Sequence, residues 1–362
     1  MLDSMTASAP GKLIVTGEYA VLDGAPALVV AMNRRVVARF APGVARGSSP
    51  FLLAVAREIA TRYGDAHPAA AAALSIAVDS SSFYDGAQKL GLGSSAAVTV
   101  AATALALAAT SASATLASAA AAVSPTAASK IDKHAILSIA CAAHAHAQGA
   151  MGARGSGADI ASAVHGGAIV FTMAPASDAA SKPSDTALAA PASDTAIPSI
   201  VKRTWPHSVR IVPFFTGASA STTDLVARVS AARTDHRSAV EAALTAVADA
   251  SRAACKALAA PADLAQTALI AAVSLAASAI DRLALATGVE LVPPCVAAAR
   301  VAMAPFGGTA KTTGAGGGDI GVAVIPATAD VTDVRRALIQ AGCQVLQLSV
   351  DETGVDLQAN AQ

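Results

Sequence analysis

Lys89–Ala97 reads KLGLGSSAA, and from Leu90 to Ser129 no side chain carries a charge. Alanine, serine, threonine and valine dominate that run. Alanine is a strong helix former and a weak hydrophobe, so the composition predicts a buried helix starting at Ser94 more than a lipid-facing one. Gly91 and Gly93 let backbone N–H groups turn inward, and a helix N-terminus adds partial positive charge. The segment is therefore built for phosphate, with the backbone of Gly91, Leu92, Gly93 and Ala96 and the hydroxyls of Ser94 and Ser95 as candidate contacts. The pattern GxxxxGK[ST] occurs nowhere in the chain, which excludes a P-loop of that type. Gly91–Ala96 matches GxGxx[GA] formally. A dinucleotide site also wants an acidic residue about 20 positions on, and the uncharged run supplies none. A plain glycine turn feeding a helix remains the bland alternative.

Two further glycine-rich places carry polar groups. Thr313–Asp319, TGAGGGD, leads into the apolar run Ile320–Ile325, so its geometry is wrong for a dinucleotide fold. Three consecutive glycines are conformationally costly and suit a loop that must approach a ligand or another loop. Gly152–Asp159, GARGSGAD, delivers Ser156 and Asp159 three residues apart on a tight loop or first helical turn. A capping box explains that pair as well as chemistry does.

The whole chain bounds these readings. Its 362 residues suggest two domains, and 25 basic against 25 acidic residues leave a formal net charge of zero. That balance argues against a nucleic-acid binder, which needs a basic face. The hydrophobic share of 54% comes mainly from alanine, whereas aromatics are only 3%, so each lysine or hydroxyl cluster is informative. Cys141, Cys255, Cys295 and Cys343 form no CxxC pair, and the start MLDSMTASAPGK has no apolar signal segment. A reduced cytoplasmic protein without membrane or nucleic-acid partners is expected.

Along the chain, Lys12–Thr16, Ala27–Val30, Arg35–Phe40, Leu74–Val78, Gly166–Thr172, Val209–Phe215, Ile320–Ile325 and Gln344–Val350 predict strands. Helical spacing covers Phe51–Tyr63, the run from Ser94, Lys130–Gln148, Thr223–Leu258, Ala262–Thr287, Pro294–Ala304 and Val331–Ala341. Strands and helices mix without strict alternation, which favours the α+β class. Residues 173–200 repeat PASD at Pro175–Asp178 and Pro191–Asp194 without apolar periodicity. They read as a linker or surface insertion between domains at 1–172 and 201–362.

The three glycine segments follow an N-terminal APGKLIVTGEYAVLDG, Ala9–Gly24. In that order they resemble the motifs of the GHMP small-molecule kinases, the family of galactokinase, homoserine kinase, mevalonate kinase and phosphomevalonate kinase. The likeness runs from about residue 9 to 350. Within the family the residues look most like the phosphomevalonate branch. Gly17-Glu18-Tyr19 replaces the Gly-Glu-His usual in mevalonate kinases. Lys89 precedes the phosphate loop, and Ala143–Gly149 followed by Gly155–Asp159 resembles that branch's AHxxAQG…GSGxD. Thr216–Thr222 resembles its TGxPAST, with Ala218-Ser219 and Phe215 as departures.

The resemblance implies a two-domain fold, with a βαβ-type phosphate-binding first domain and a ferredoxin-like second. It implies ATP with Mg2+, and a phosphate-bearing acceptor, phosphomevalonate, used by a monomer or homodimer. Lys12, Lys89 and Asp159 would carry catalysis, and Gly91–Ala96 would hold the nucleotide, with Ser95 on the metal. Tyr19, Ser156, Gly157, Ser219, Ser221, Thr222, Lys311, Gly314, Ala315 and Gly316 would meet the substrate. N-capping by the Ser219–Thr222 hydroxyls, and a structural His144 beside Gln148, are competing explanations. An alcohol-phosphorylating member of the family is the alternative function.

Overall fold

The computed structural model describes residues 5–41, 49–118, 131–151, 155–174 and 198–359. The expected 173–200 insertion falls almost wholly outside them. The first half forms β1 (Met5–Thr16), β2 (Ala27–Phe40), α1 (Pro50–Tyr63), α2 (Pro68–Ala73), β3 (Ile76–Asp79) and a short hairpin of β4 (Tyr84–Asp85) and β5 (Gln88–Lys89). It continues through α3 (Ser94–Ser118), α4 (Lys133–Ala150), α5 (Ala158–His165) and β6 (Ala168–Thr172). The second half holds β7 (Ser199–Arg203), β8 (Val209–Phe215), α6 (Thr222–Asp235), α7 (Arg237–Ala257), α8 (Ala262–Thr287) and α9 (Pro294–Met303). It closes with β9 (Thr309–Thr312), β10 (Ile320–Pro326), α10 (Val331–Gln340), β11 (Gln344–Val345) and β12 (Asp356–Ala359).

The first sheet runs β12-β1-β2-β6-β7, with β3 also on β2, and every pair is antiparallel. Helices do connect strands there, as a βαβ-type domain would require, but the connected neighbours are antiparallel. β2 is one continuous strand where two were expected. Its start pairs with β6 and its end with β3, so it forms the spine of the layer. The second sheet has the order β11-β8-β10-β9, again antiparallel. With helices between its first and second strands and between its third and fourth, that is the ferredoxin-like arrangement expected.

The division at residue 201 needs correction. β7 spans it and pairs with β6, while β12 returns to β1, so both ends of the second half belong to the first sheet. Gln344–Val350 is likewise not one strand: Gln344–Val345 pairs with β8, and Val350 bridges to Met32 of β2. The segment passes from one sheet to the other. The expected helix Thr223–Leu258 divides at His236, whose backbone leaves the helical region before α7 resumes.

α3 explains the uncharged run. Between Ala96 and Ala109 it is buried on most sides, packed by α1, α2, α4 and α5 and by β1 and β2. A helix surrounded by protein must be apolar all round. α8 is also long and apolar, with one side buried against α7 and β9.

Candidate active site

The first motif places its lysine through a strand irregularity. Pro10 has no N–H to give the ladder, and the β1–β2 register shifts between Pro10 and Gly11. A Cβ on Gly11 would lie 2.9 Å from Phe83 and 3.0 Å from the Leu92 carbonyl, so only glycine admits this approach. The next amide, Lys12 N–H, donates to Leu92 O at 2.9 Å and fastens the strand to the phosphate loop. The Lys12 stem then passes Gly93, where an added Cβ would sit 3.2 Å from Lys12 Cε and 3.7 Å from Asp159 Cβ. Burial lowers the Lys12 ammonium, and the carboxylates of Asp159, Asp319 and Glu18 act against that shift.

Gly91 and Gly93 adopt left-handed conformations, φ +67° and +78°, and turn the chain into α3. The first intrahelical bond there is Ala97 N–H to Gly93 O, so the amides of Ser94, Ser95 and Ala96 precede the helical ladder. Leu92 and Ala96 anchor the loop from behind with buried side chains, and they offer a ligand only their backbone. Ser95 Oγ lies 3.1 Å from Nε2 of His144, a buried ring stacked on Phe51. His144 is thus structural, and it fixes the hydroxyl that the sequence marks for a metal.

Asp159 sits in the first turn of α5. The N-cap is Gly157 at φ 83°, without a side-chain cap bond, so the Ser156–Asp159 pair is not a capping box. Ser156 Oγ accepts from Ala158 N–H at 3.3 Å, and Ser156 and Asp159 line a cleft of about 140 Å³. Lys12, Glu18, Tyr19, Gln148, Thr222 and Ala315 complete its polar wall, and it opens into a hollow of about 480 Å³ beside Arg233.

The third loop closes the cleft from the second domain. Tyr19, in a left-handed conformation at φ 60°, donates its hydroxyl to Ala315 O at 2.5 Å. Burial pushes this phenol up, which keeps it a donor. Tyr19→Phe leaves that carbonyl unpaired and is expected to cost about 1–3 kcal/mol in urea unfolding, with a raised KM for the acceptor.

No protein-family model matches the chain. It is 28% identical over 397 residues to a phosphomevalonate kinase of Streptomyces sp. (strain CL190), covering 96% of this chain and 97% of that one. Among solved structures it superposes on the Lin0012 protein from Listeria innocua with a TM-score of 0.77 at 20% identity, covering 98% and 99% of the two chains. Streptococcus pneumoniae phosphomevalonate kinase, solved with phosphomevalonate and AMPPNP, gives 0.68 at 19% identity, covering 95% of this chain and 99% of that one. The chain is thus similar over nearly its full length to a phosphomevalonate kinase, and it shares the fold of solved GHMP kinases.

Several residues marked from the sequence lie elsewhere than expected. Lys311 is not open to substrate. It is 1% exposed on β9, where its ammonium pairs with Glu18 and donates to Thr312 O. Burial pushes the Glu18 carboxyl up, and the Lys311 ammonium beside it pulls it back. Gly316 is buried against the backbone of Leu291, leaving Gly314 and Ala315 to line the cleft.

The hydroxyl cluster divides. Ser221 accepts from Asp224 N–H at 3.2 Å and caps α6, the competing explanation its spacing allowed. Ser219 takes a hydrogen bond from the Gln88 amide at 2.5 Å, and Thr222 alone of the three lines the cleft. Lys89 is exposed on the β4–β5 hairpin at the rim; burial raises the Asp319 carboxyl, and the Lys89 charge is among the groups acting against that shift. Asp319 itself was not marked. As the only charge in TGAGGGD it was visible, but its partner Gly91 lies 228 positions away.

Proposed function

We propose that this enzyme transfers the γ-phosphoryl group of ATP to the phosphate of 5-phosphomevalonate, giving 5-diphosphomevalonate and ADP. The observation that carries the reading is the meeting of Lys12 and Asp159 in one cleft, with Gly93 of the phosphate loop beside both. Likeness over nearly the full length to a protein named phosphomevalonate kinase supports the choice of acceptor.

A phosphate monoester has its second pKa near ~6, so at neutral pH the attacking oxygen is already largely deprotonated. The barrier lies in bringing two anions together. Cations and preorganised amides must stabilise the equatorial charge of a loose transition state. Lys12 supplies the nearest cation, the α3 amides supply dipoles, and Lys89 adds charge at the rim. Asp159 keeps Lys12 in place and orients the acceptor. Its carboxylate need not remove a proton.

Among the described residues no group of three His, Cys, Asp or Glu side chains forms a metal cage. That fits Mg2+, which binds through substrate phosphates and one or two protein oxygens. Ser95 Oγ and the Asp159 carboxylate are the groups placed to hold it, and when bound it neutralises phosphate charge. The four cysteines are free thiols, which supports a reducing cytoplasmic setting.

The test is ADP release from purified enzyme with Mg·ATP and either phosphomevalonate or mevalonate. Turnover on phosphomevalonate with a diphosphate product is expected. Faster turnover on mevalonate would make the protein an alcohol kinase.

A further inference from the structure

Asp319 ends the third glycine-rich loop, yet neither the cleft nor the transfer step needs it. Its φ is +52°, and Tyr19 is the only other described non-glycine residue with positive φ. Aspartate tolerates that region less well than glycine, and strain of this kind is kept where a side chain has work to do. The backbone is pinned on both sides: its N–H donates to Ala218 O at 2.7 Å, and its carbonyl accepts from Thr216 N–H at 2.9 Å.

The side chain crosses from the second domain to the phosphate loop of the first. A Cβ on Gly91 would lie 2.7 Å from Cβ, Cγ and Oδ2 of Asp319. Gly91 is therefore glycine partly to admit a carboxylate from its own chain. Burial raises the Asp319 carboxyl, and Ser219, the Ala220 amide and the charges of Lys12 and Lys89 act against that shift. Among the described residues neither lysine forms a direct ion pair. An anion thus already faces the loop and the two lysines that suit phosphate.

We propose that Asp319 is an internal competitor of phosphate: in the ligand-free enzyme its carboxylate stands against the phosphate loop at Gly91, and its charge opposes that of the nucleotide phosphates the loop receives. This rests on the kinase reading, since the opposed anion is the nucleotide diphosphate. Two tightly clamped polyanions leave a site slowly. A fixed negative charge at the same loop weakens product binding and shortens its residence.

Calorimetric titration of ADP into wild type, Asp319→Asn and Asp319→Gly tests this. Asparagine keeps the size and the acceptor oxygen but removes the charge. Glycine suits the left-handed backbone and removes the side chain, so one variant carries the test should the other fold poorly. Both variants are expected to bind ADP about tenfold more tightly than wild type and to release it more slowly in stopped flow. The advantage shrinks as KCl rises from about 50 to 500 mM, a dependence that a scaffold role would not produce. Equal or weaker ADP binding by both variants would overturn the proposal. Absence of ADP binding by wild type would overturn the kinase reading and the proposal with it.

Discussion

Lys12→Ala is expected to lower kcat/KM by about 10²–10³, the loss of ~2.7–4 kcal/mol seen when one preorganised donor is removed from a developing charge. The magnitude follows from position. Lys12 is the cation beside Gly93 and Asp159, its backbone amide is bonded to Leu92, and its stem lies against Gly93 of the loop. The ammonium cannot be replaced by Lys89, which stands exposed at the rim on a two-residue strand. Because the β1–β2 ladder does not use the side chain, the variant should melt within a few degrees of wild type. Steady-state ADP release and a thermal melt on the same preparation check both halves. A variant with near-normal kcat/KM would move the phosphate site away from the first motif.

Lys311→Met should give the largest loss of stability, about 3–5 kcal/mol, because it strands the Glu18 carboxylate in the interior without its cation. Lys311 and Glu18 are each 1% exposed; Lys311 meets Glu18 Oε1, and Oε2 has no hydrogen-bond partner among the described residues. The pair joins the first motif to β9, and so holds one domain against the other. The loss depends on pH in a definite direction. Burial alone raises the Glu18 carboxyl, so the folded variant binds a proton that the unfolded chain, with an ordinary carboxyl near ~4.3, does not. The variant should therefore gain stability as pH falls from about 7 towards 5. Urea unfolding at the two pH values measures it, and a pH-independent loss would show that Glu18 remains charged.

The parts legible in the sequence are those with local physical causes. Gly91 and Gly93 announce the turn before Ser94 because left-handed backbone needs glycine, and α3 announces its burial because all its faces are apolar. The long helices and short apolar strands of the second half are legible as an α+β pattern, and its ferredoxin-like arrangement is what the resemblance to the GHMP kinases implies. What stayed hidden depends on partners far away in the chain. β12 is four residues, DLQA, with no pattern of its own, and it is a strand only because the edge of β1 is there. Lys311 looks like a substrate cation beside a glycine loop until Glu18, 293 positions earlier, is seen next to it. Ser219, Ser221 and Thr222 look like one hydroxyl cluster, but the start of α6 at Thr222 sends them in three directions.

Single-turnover phosphoryl transfer by Asp159→Asn, followed from about pH 6 to 8 with saturating Mg·ATP and phosphomevalonate, most directly tests whether cations, not a base, drive the reaction. If the acceptor is a phosphate oxygen, the variant keeps measurable turnover. Its rate should rise with pH in parallel with wild type as the acceptor becomes a full dianion near ~6. An Asp159→Asn enzyme that is inactive at every pH, beside a Lys12→Ala enzyme that is nearly intact, would contradict the account and make Asp159 the base for a hydroxyl.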